Sequence, residues 1–263
     1  MVEVKFRSKV GVVLLVGICQ FFCLLTPGSV LGQYGGGTGE VGTPWEIGTA
    51  AHWVTLMGNS AHWGRNFILI ADPNLAGVPL TPVGNSSIRF TGVLDGQGHV
   101  IRNAVINQPG SDYVGLFGYL GSGGQIKNLG VEDVDITGLY YVGGLVGGND
   151  GTITFCYATG AVTGIYYVGG LAGYNDYGTI TSCYAMGAVT GDDDVGGLVG
   201  YNDYGTITSC YATGAVTGIS YYIGGLVGEN YGTITSCYAA GAVTGYVYVG
   251  GDRKSTRLNS SHR

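Results

Sequence analysis

Few residue types that could support catalysis are present, and they are scattered along the chain. Asp192, Asp193 and Asp194 form the one acidic cluster, and glycan hydrolysis requires paired carboxylates at a defined separation. This cluster lies where the repeat length varies, so we interpret it as a solvated corner. Asp95 and His99 belong to Asp-Gly-Gln-Gly-His, which indicates a turn rather than a site. We therefore predict no catalytic residues.

Four cysteines recur every 27 residues and could bind metal or form disulfides. They are Cys156, Cys183, Cys210 and Cys237. A straight row provides no tetrahedral cage for a metal, and parallel Cβ vectors would strain a disulfide, although export would permit one. A corner at Phe155, and at the serines of later copies, would turn the cysteines inward, where a free thiol behaves as a small apolar group. We expect buried thiols, no metal and no cofactor.

A second row consists of asparagines next to a predicted corner: Asn149, Asn175, Asn202 and Asn230. Asparagine satisfies backbone groups in turns, and stacked amides hydrogen bond to one another. The alternative is a cation site that includes the neighbouring aspartates, Asp150, Asp176 and Asp203. We favour the structural interpretation.

Paired threonines form a third row, predicted to point outward on both sides of a buried isoleucine. The pairs are Thr152/Thr154, Thr179/Thr181, Thr206/Thr208 and Thr233/Thr235. A flat threonine array resembles an ice-binding face, whereas the simpler interpretation is that threonine suits an exposed strand.

These rows belong to an internal repeat of 26 to 28 residues. One copy reads Val-Gly-Gly-Leu-Val-Gly from Val142, then Thr-Ile-Thr, Cys-Tyr-Ala and Gly-Ala-Val-Thr-Gly, ending at Gly164. Three more copies follow, and a fifth begins at Tyr248. No strand of a copy is long enough to bury a face alone, so successive coils must stack. Six or seven coils would form a rod roughly 30 Å long.

The repeated composite motif resembles the GLUG-motif repeats of bacterial surface and secreted proteins, from about Thr43 to Gly251. The resemblance implies a right-handed parallel β-helix and an extracellular setting. It implies little about activity, because the motif accompanies both adhesins and some surface peptidases. The metallopeptidase motif His-Glu-x-x-His does not occur in this sequence.

The segment before the repeats differs from them. Residues 33–42 read as a Gly-rich linker, and residues 43–112 as a cap with the first irregular coils, ahead of repeats at 113–251. Thr49 can N-cap a short helix that ends at Gly58. Trp45, Trp53 and Trp63 cluster here, and we favour a cap over an aromatic platform for carbohydrate.

Both ends of the chain are set apart from this pattern. Residues 1–32 have the basic start and apolar run of an export signal, with cleavage at about Gln33. Residues 252–263 resemble a translated sequencing adapter, so the natural protein is expected to continue after Gly251. An open last coil would then allow self-association.

Charge narrows the possible partners. The 263-residue chain has a net charge of −6, and residues 33–251 contain four basic and 15 acidic residues, a net charge of −11. No Lys or Arg occurs between Asn128 and Gly251, so nucleic acids and acidic membranes are poor partners. No membrane span is expected after the signal.

Together these features favour an exported, non-catalytic surface segment of a larger bacterial protein, with a structural or adhesive role and a glycan or protein partner. Its exposed tyrosines are predicted to cluster at one corner, namely Tyr140, Tyr141, Tyr166, Tyr167, Tyr221 and Tyr222. The alternative is a polysaccharide-active β-helix enzyme or its accessory domain.

Overall fold

Short strands separated by tight corners wind into a parallel β-solenoid of about seven turns. The computed structural model describes residues 33–250, so the predicted export signal and the adapter-like tail lie outside the described residues. In this range 28 strands and one α-helix are present, and every pair of strands in the four sheets is parallel. The predicted all-β solenoid fold is confirmed.

The strands form four sheets, which we call A to D. Sheet A contains Trp45–Ile47, Asn66–Leu69, Val93–Asp95, Gln125–Lys127, Thr152–Thr154, Thr179–Thr181, Thr206–Thr208 and Thr233–Thr235. Sheet B contains Phe117–Leu120, Val146–Asn149, Ala172–Asp176, Val199–Asp203 and Val227–Asn230. Sheet C contains Val100–Arg102, Val105–Asn107, Gly130–Thr137, Tyr157–Thr163, Tyr184–Ala185, Ala188–Gly191, Tyr211–Ala212, Val216–Gly218, Tyr238–Ala239 and Val243–Thr244. Sheet D contains Tyr140–Gly143, Tyr166–Gly169, Asp193–Gly196, Ile223–Gly224 and Val249–Gly250.

Each repeat visits the sheets in the order D, B, A and C, and left-handed backbone turns separate some of them. The corner before each cysteine is one such turn, with φ of 53° at Phe155 and 54° at Ser182. The Phe155 side chain points to solvent, and Cys156 follows it into the core. The corner therefore breaks the strand alternation at the position that the sequence suggested.

Equivalent residues of successive coils lie in register and fill a narrow core. In sheet A, Ile153 pairs with Ile180, which pairs in turn with Ile207. All three are fully buried. The repeats provide only aliphatic and small side chains to the core, whereas the first coils contain the larger Phe67, Phe90 and Phe117.

A cap covers the first coil. The helix spans Ala50–Gly58, and the Thr49 hydroxyl accepts a hydrogen bond from the backbone N–H of His52 at 3.2 Å, as its N-cap. Trp53 is fully buried and meets the Phe117 ring edge to face, with ring centroids 5.7 Å apart. The helix thus shields the apolar end of the solenoid, which would otherwise be exposed.

The Gly-rich segment 33–42 is not an extended linker, in contrast to the sequence expectation. Tyr34 is buried, stacks on Trp45 with centroids 4.9 Å apart and donates to or accepts from His62 Nδ1 at 2.9 Å. Backbone bonds from Gly35 to Glu46 and from Asn66 to Gly39 fix it to the first strands. One aromatic residue with a polar tip is enough to anchor this segment to the cap.

Candidate functional site: ladders and outer faces of the solenoid

The predicted asparagine row is a continuous hydrogen-bonded ladder inside the solenoid. Asn149 Nδ2 donates to Asn175 Oδ1 at 2.6 Å, Asn175 to Asn202 at 2.7 Å, and Asn202 to Asn230 at 2.6 Å. The second N–H of Asn175 donates to the carbonyl of Gly178, and that of Asn202 to the carbonyl of Gly205. The three inner members are fully buried, so their polar atoms are satisfied within the ladder.

The aspartates beside this ladder point outward and also lie in register. Asp176 pairs with Asp203 across adjacent strands, and Asp150 precedes them in the same column. Burial, followed by the charges of Asp150 and Asp203, raises the pKa of Asp176. Within residues 33–250 no three metal-ligating side chains converge, here or elsewhere.

The cysteine row lies in the core as a column of thiols. Cys156, Cys183, Cys210 and Cys237 are buried, and none of them forms a disulfide. The backbone N–H of Cys156 donates to Cys183 Sγ at 3.4 Å, and the Cys183 thiol donates to the carbonyl of Thr181 at 3.2 Å. Hydrogen bonding to Cys183, together with burial, raises the pKa of the Cys210 thiol to about 12. Such thiols are poor nucleophiles and poor metal ligands at neutral pH.

The threonine pairs form the outer face of sheet A. Thr179 pairs with Thr206 and Thr181 with Thr208, so both columns continue through the four repeats. Towards the cap, the array ends at Gln125 and Lys127. A shallow groove of 410 Å³ follows on that side, lined in part by Asn66, Asp95, Gln97, Gln125 and Lys127.

Tyrosines form stacked columns on the outside. At the corner before sheet D, Tyr113 stacks on Tyr141 and Tyr141 on Tyr167, with centroids 4.5 and 4.9 Å apart. Tyr222 stacks on Tyr248 at 5.3 Å further along. On sheet C a separate column is unbroken, with centroids 4.8 to 5.1 Å apart: Tyr157, Tyr184, Tyr211 and Tyr238.

Two acidic residues interrupt the corner columns. Asp193 occupies the position of Tyr166 and Asp194 that of Tyr167, one coil later. Asp194 is only 7% exposed, its Oδ1 has no hydrogen-bond partner, and its carboxyl group lies within hydrogen-bonding reach of Glu229. The expectation of a solvated acidic corner is therefore wrong for Asp194.

Glu229 itself was not apparent from the sequence, because it takes the place of Tyr201 in the next coil. Tyr167 and Tyr201 are in edge contact, with centroids 5.4 Å apart. The Asp194–Glu229 pair thus replaces this Tyr–Tyr contact one coil further along. The signal that could have revealed it is the simultaneous change of both tyrosine positions to acids.

The basic residues between 33 and 250 are all engaged in ion pairs. Arg102 pairs with Asp72 at 2.9 Å and with Glu132 at 3.0 Å, and Lys127 lies 3.4 Å from Asp95. The other two pairs are Arg65 with Glu40 and Arg89 with Asp150. All four pairs include residues of the cap or first coils, so the outer faces of the later repeats remain acidic.

The candidate histidines do not converge. His99 Nδ1 lies 2.8 Å from Asp72 Oδ1, and Arg102, followed by His99, lowers the pKa of Asp72 to about 2. In the described part of the chain, no hydroxyl hydrogen bonds to His99. Asp95 instead accepts from the Gln97 backbone N–H and from Asn128, as a turn residue does.

The tryptophans form cap structure rather than an exposed platform. Trp53 and Trp63 are buried, and Trp63 Nε1 donates to the Leu56 carbonyl at 2.9 Å. Trp45 is half-buried between Tyr34 and His62.

The fold and its in-register ladders define a parallel β-solenoid repeat protein. Four successive segments, 138–163, 164–190, 193–217 and 219–244, match the GLUG motif. The chain is a GLUG-motif repeat protein. Among residues 33–250, no helix has the length and apolarity needed to cross a bilayer.

Relatives share this repeat region. The chain is 36% identical over 136 residues to halomucin from Haloquadratum walsbyi, a match covering 48% of this chain and 2% of that protein. It is 33% identical over 150 residues to a protein of Evansella cellulosilytica described as a candidate Gly-rich membrane protein, covering 52% and 17% of the two chains. The chain therefore spans a small part of either relative.

One solved structure is similar over most of its length. A candidate immunoglobulin A1 protease from Bacteroides ovatus superposes with a TM-score of 0.73 and 26% identity. The match covers 82% of this chain and 74% of that one.

Proposed function

We propose that this chain is an exported, non-catalytic segment of a larger cell-surface protein, with a structural or adhesive role. The observation that carries the proposal is the register of its outward side chains, which repeats the same threonine and tyrosine columns coil after coil. Such a surface offers one weak contact many times, and linked weak contacts give strong overall attachment.

The relatives support this assignment. One is named as a mucin and the other as a Gly-rich membrane protein, and the matched repeats form 2% and 17% of them. Repeats that make up a minor share of long proteins fit a spacer or an attachment segment. The polar side chains inside the repeats serve the asparagine ladder, which stabilises the rod.

An enzyme is the second candidate, favoured by the likeness to the candidate immunoglobulin A1 protease. The residues to test are His99 and Asp72, a half-exposed pair at 2.8 Å. Arg102 shares the carboxylate of Asp72 with His99, as expected for a structural ion-pair cluster. The polysaccharide-active alternative is tested alongside it.

The full chain would be applied to a glycan array and to whole cells, and incubated with polysaccharides and with immunoglobulin A1. We expect retention on glycans or cells without new reducing ends or new peptide termini, the latter measured by mass spectrometry. Product that disappears in the His99→Ala variant would overturn the proposal. Thermal hysteresis of freezing would instead favour the ice-binding alternative for the threonine face.

A further inference from the structure

An internal cation already occupies the first position of the outer face of sheet B. The Arg89 guanidinium lies 4.1 Å from the centre of the Tyr119 ring and forms an ion pair with Asp150 Oδ2. The Tyr119 hydroxyl donates to the other oxygen of the same carboxylate, Asp150 Oδ1, at 2.8 Å. One tyrosine and the aspartate of the next coil together hold one guanidinium, by cation–π attraction and charge.

The same tyrosine–aspartate pair recurs two coils later without an arginine. Tyr174 shares a column with Tyr119, and Asp203 shares one with Asp150. The Tyr174 hydroxyl donates to Asp203 Oδ2 at 3.2 Å, which reproduces the Tyr119–Asp150 contact. No Lys or Arg occurs between residues 128 and 251, so this stretch of sequence provides no counterpart of Arg89.

The acids of this face are placed against one another. Asp176 and Asp203 are directly opposed on adjacent strands, where like charges are destabilising. At the far end, Asp194 and Glu229 bring two carboxyl groups together, and Asp194 Oδ1 is buried without a hydrogen-bond partner. A cationic ligand would relieve both juxtapositions, as Arg89 does for Asp150.

Exposed aromatic rings border the same face. Tyr177 and Tyr204 are 70% and 64% exposed and stack with centroids 5.2 Å apart, immediately after the two aspartates. Tyrosine rings can bind the apolar stems and planar heads of arginine side chains. The face therefore combines charge with aromatic surface.

We propose that the face formed by Tyr174, Asp176, Tyr201, Asp203 and Glu229, the tyrosine–carboxylate face, binds an arginine-rich polypeptide segment of a partner. Its pairs lie along one line, so a chain with several cations gains from linked contacts. Arginine is preferred over lysine because its planar fork matches a carboxylate and stacks on tyrosine, as Arg89 shows. This inference rests on the proposed attachment role and gives it a partner class.

The test is binding of nona-arginine to the full chain, compared with nona-lysine at equal ionic strength. We expect nona-arginine to bind several-fold more tightly. The double variant Asp176→Asn/Asp203→Asn should weaken binding about tenfold or more. The matched control is Asp133→Asn/Asp135→Asn, which removes the same charge from exposed residues of sheet C and should change Kd less than twofold.

Several results would overturn the inference. Equal losses in the two double variants, or equal affinity for both peptides, would indicate general charge attraction alone. Binding to phosphatidylcholine vesicles instead of the peptide would assign the face to a lipid headgroup. Circular-dichroism melts establish that each variant is folded, and Tyr174→Phe, which removes only the hydroxyl that orients Asp203, provides a second variant expected to weaken binding. Failure of peptide binding alongside retention on glycans or cells would refute only this inference, whereas catalytic product would refute the proposed function.

Discussion

Asn149 and Asn175, one coil apart, share a buried amide hydrogen bond of 2.6 Å, which is the first step of a ladder through four repeats. Each inner member gives one N–H to the next asparagine and the other to a corner glycine carbonyl. The ladder therefore links coil to coil as well as closing each corner. Because it is buried, its geometry should control the stability of the repeats.

Replacing Asn202 by Asp should destabilise the solenoid by about 3 kcal/mol or more, since the change puts an acceptor where two N–H groups are needed. The free energy of unfolding from denaturant titration measures the effect. Asn107→Asp, the same change at an exposed position of sheet C, serves as the control and should cost little. Equal losses in the two variants would mean that the ladder contributes no special stability.

Gly205 is required by the same ladder. A Cβ at this position would overlap the side-chain nitrogen of Asn175 and crowd Asn202 Oδ1. We expect Gly205→Ala to lower stability by about 1 to 3 kcal/mol. Gly110→Ala, where a Cβ meets nothing within 4 Å, should be almost neutral in the same thermal or denaturant measurement. A neutral Gly205→Ala would show that the corner can move.

The thiol column should be chemically silent in the folded protein. Burial raises the pKa of Cys183, and the hydrogen bond with Cys183 raises that of Cys210 to about 12, so little thiolate is present at pH 8. Iodoacetamide followed by peptide mass spectrometry should leave the four repeat cysteines unmodified until denaturant is added. Rapid labelling of Cys183 in the native state would contradict the buried column.

Asp194 should make stability depend on pH in an unusual direction. Burial, then the charges of Glu229 and Asp193, raises its pKa to about 8, and the Tyr167 and Tyr222 rings lie in the coils on either side. The folded state thus binds a proton that the unfolded state releases near pH 4, so its stabilisation is present below about pH 4 and is lost as pH rises to about 8. Asp194→Asn should therefore be more stable than the parent above pH 8, by about 2 to 5 kcal/mol, with little difference near pH 4.

Unfolding measured from pH 4 to pH 9 checks this, with the exposed Asp135→Asn as the control variant. A parent protein whose stability is constant between pH 5 and pH 8 would contradict it.

The sequence predicted the repeats and their columns because period alone determines which residues stack. Cys156 and Cys183 are 27 residues apart, and only one coil length brings them together. The inward turn of the cysteines also followed, since a narrow core admits a thiol more readily than a row of tyrosines.

Contacts between different columns could not be predicted from the period. Asp194 and Glu229 meet because two outer columns lean together across a corner, which depends on side-chain direction in three dimensions. Arg89 reaches Asp150 from an irregular loop outside the repeat pattern, and Tyr34 folds back onto the cap from a Gly-rich segment. In each case a single side chain provides the anchor, and composition averages conceal it.

The most direct test of the stacked-coil account is the distance between equivalent residues of adjacent repeats. Nitroxide labels at Thr181→Cys and Thr208→Cys, paired in register on the outer face of sheet A, would be compared with labels at Thr181→Cys and Thr235→Cys, two coils apart. Cys19 and Cys23 would be replaced by serine. Strands about 4.8 Å apart predict strong spin exchange in the first pair and only dipolar broadening in the second. Sharp, non-interacting spectra from the adjacent pair would contradict the stacking and, with it, the surface on which the proposed function depends.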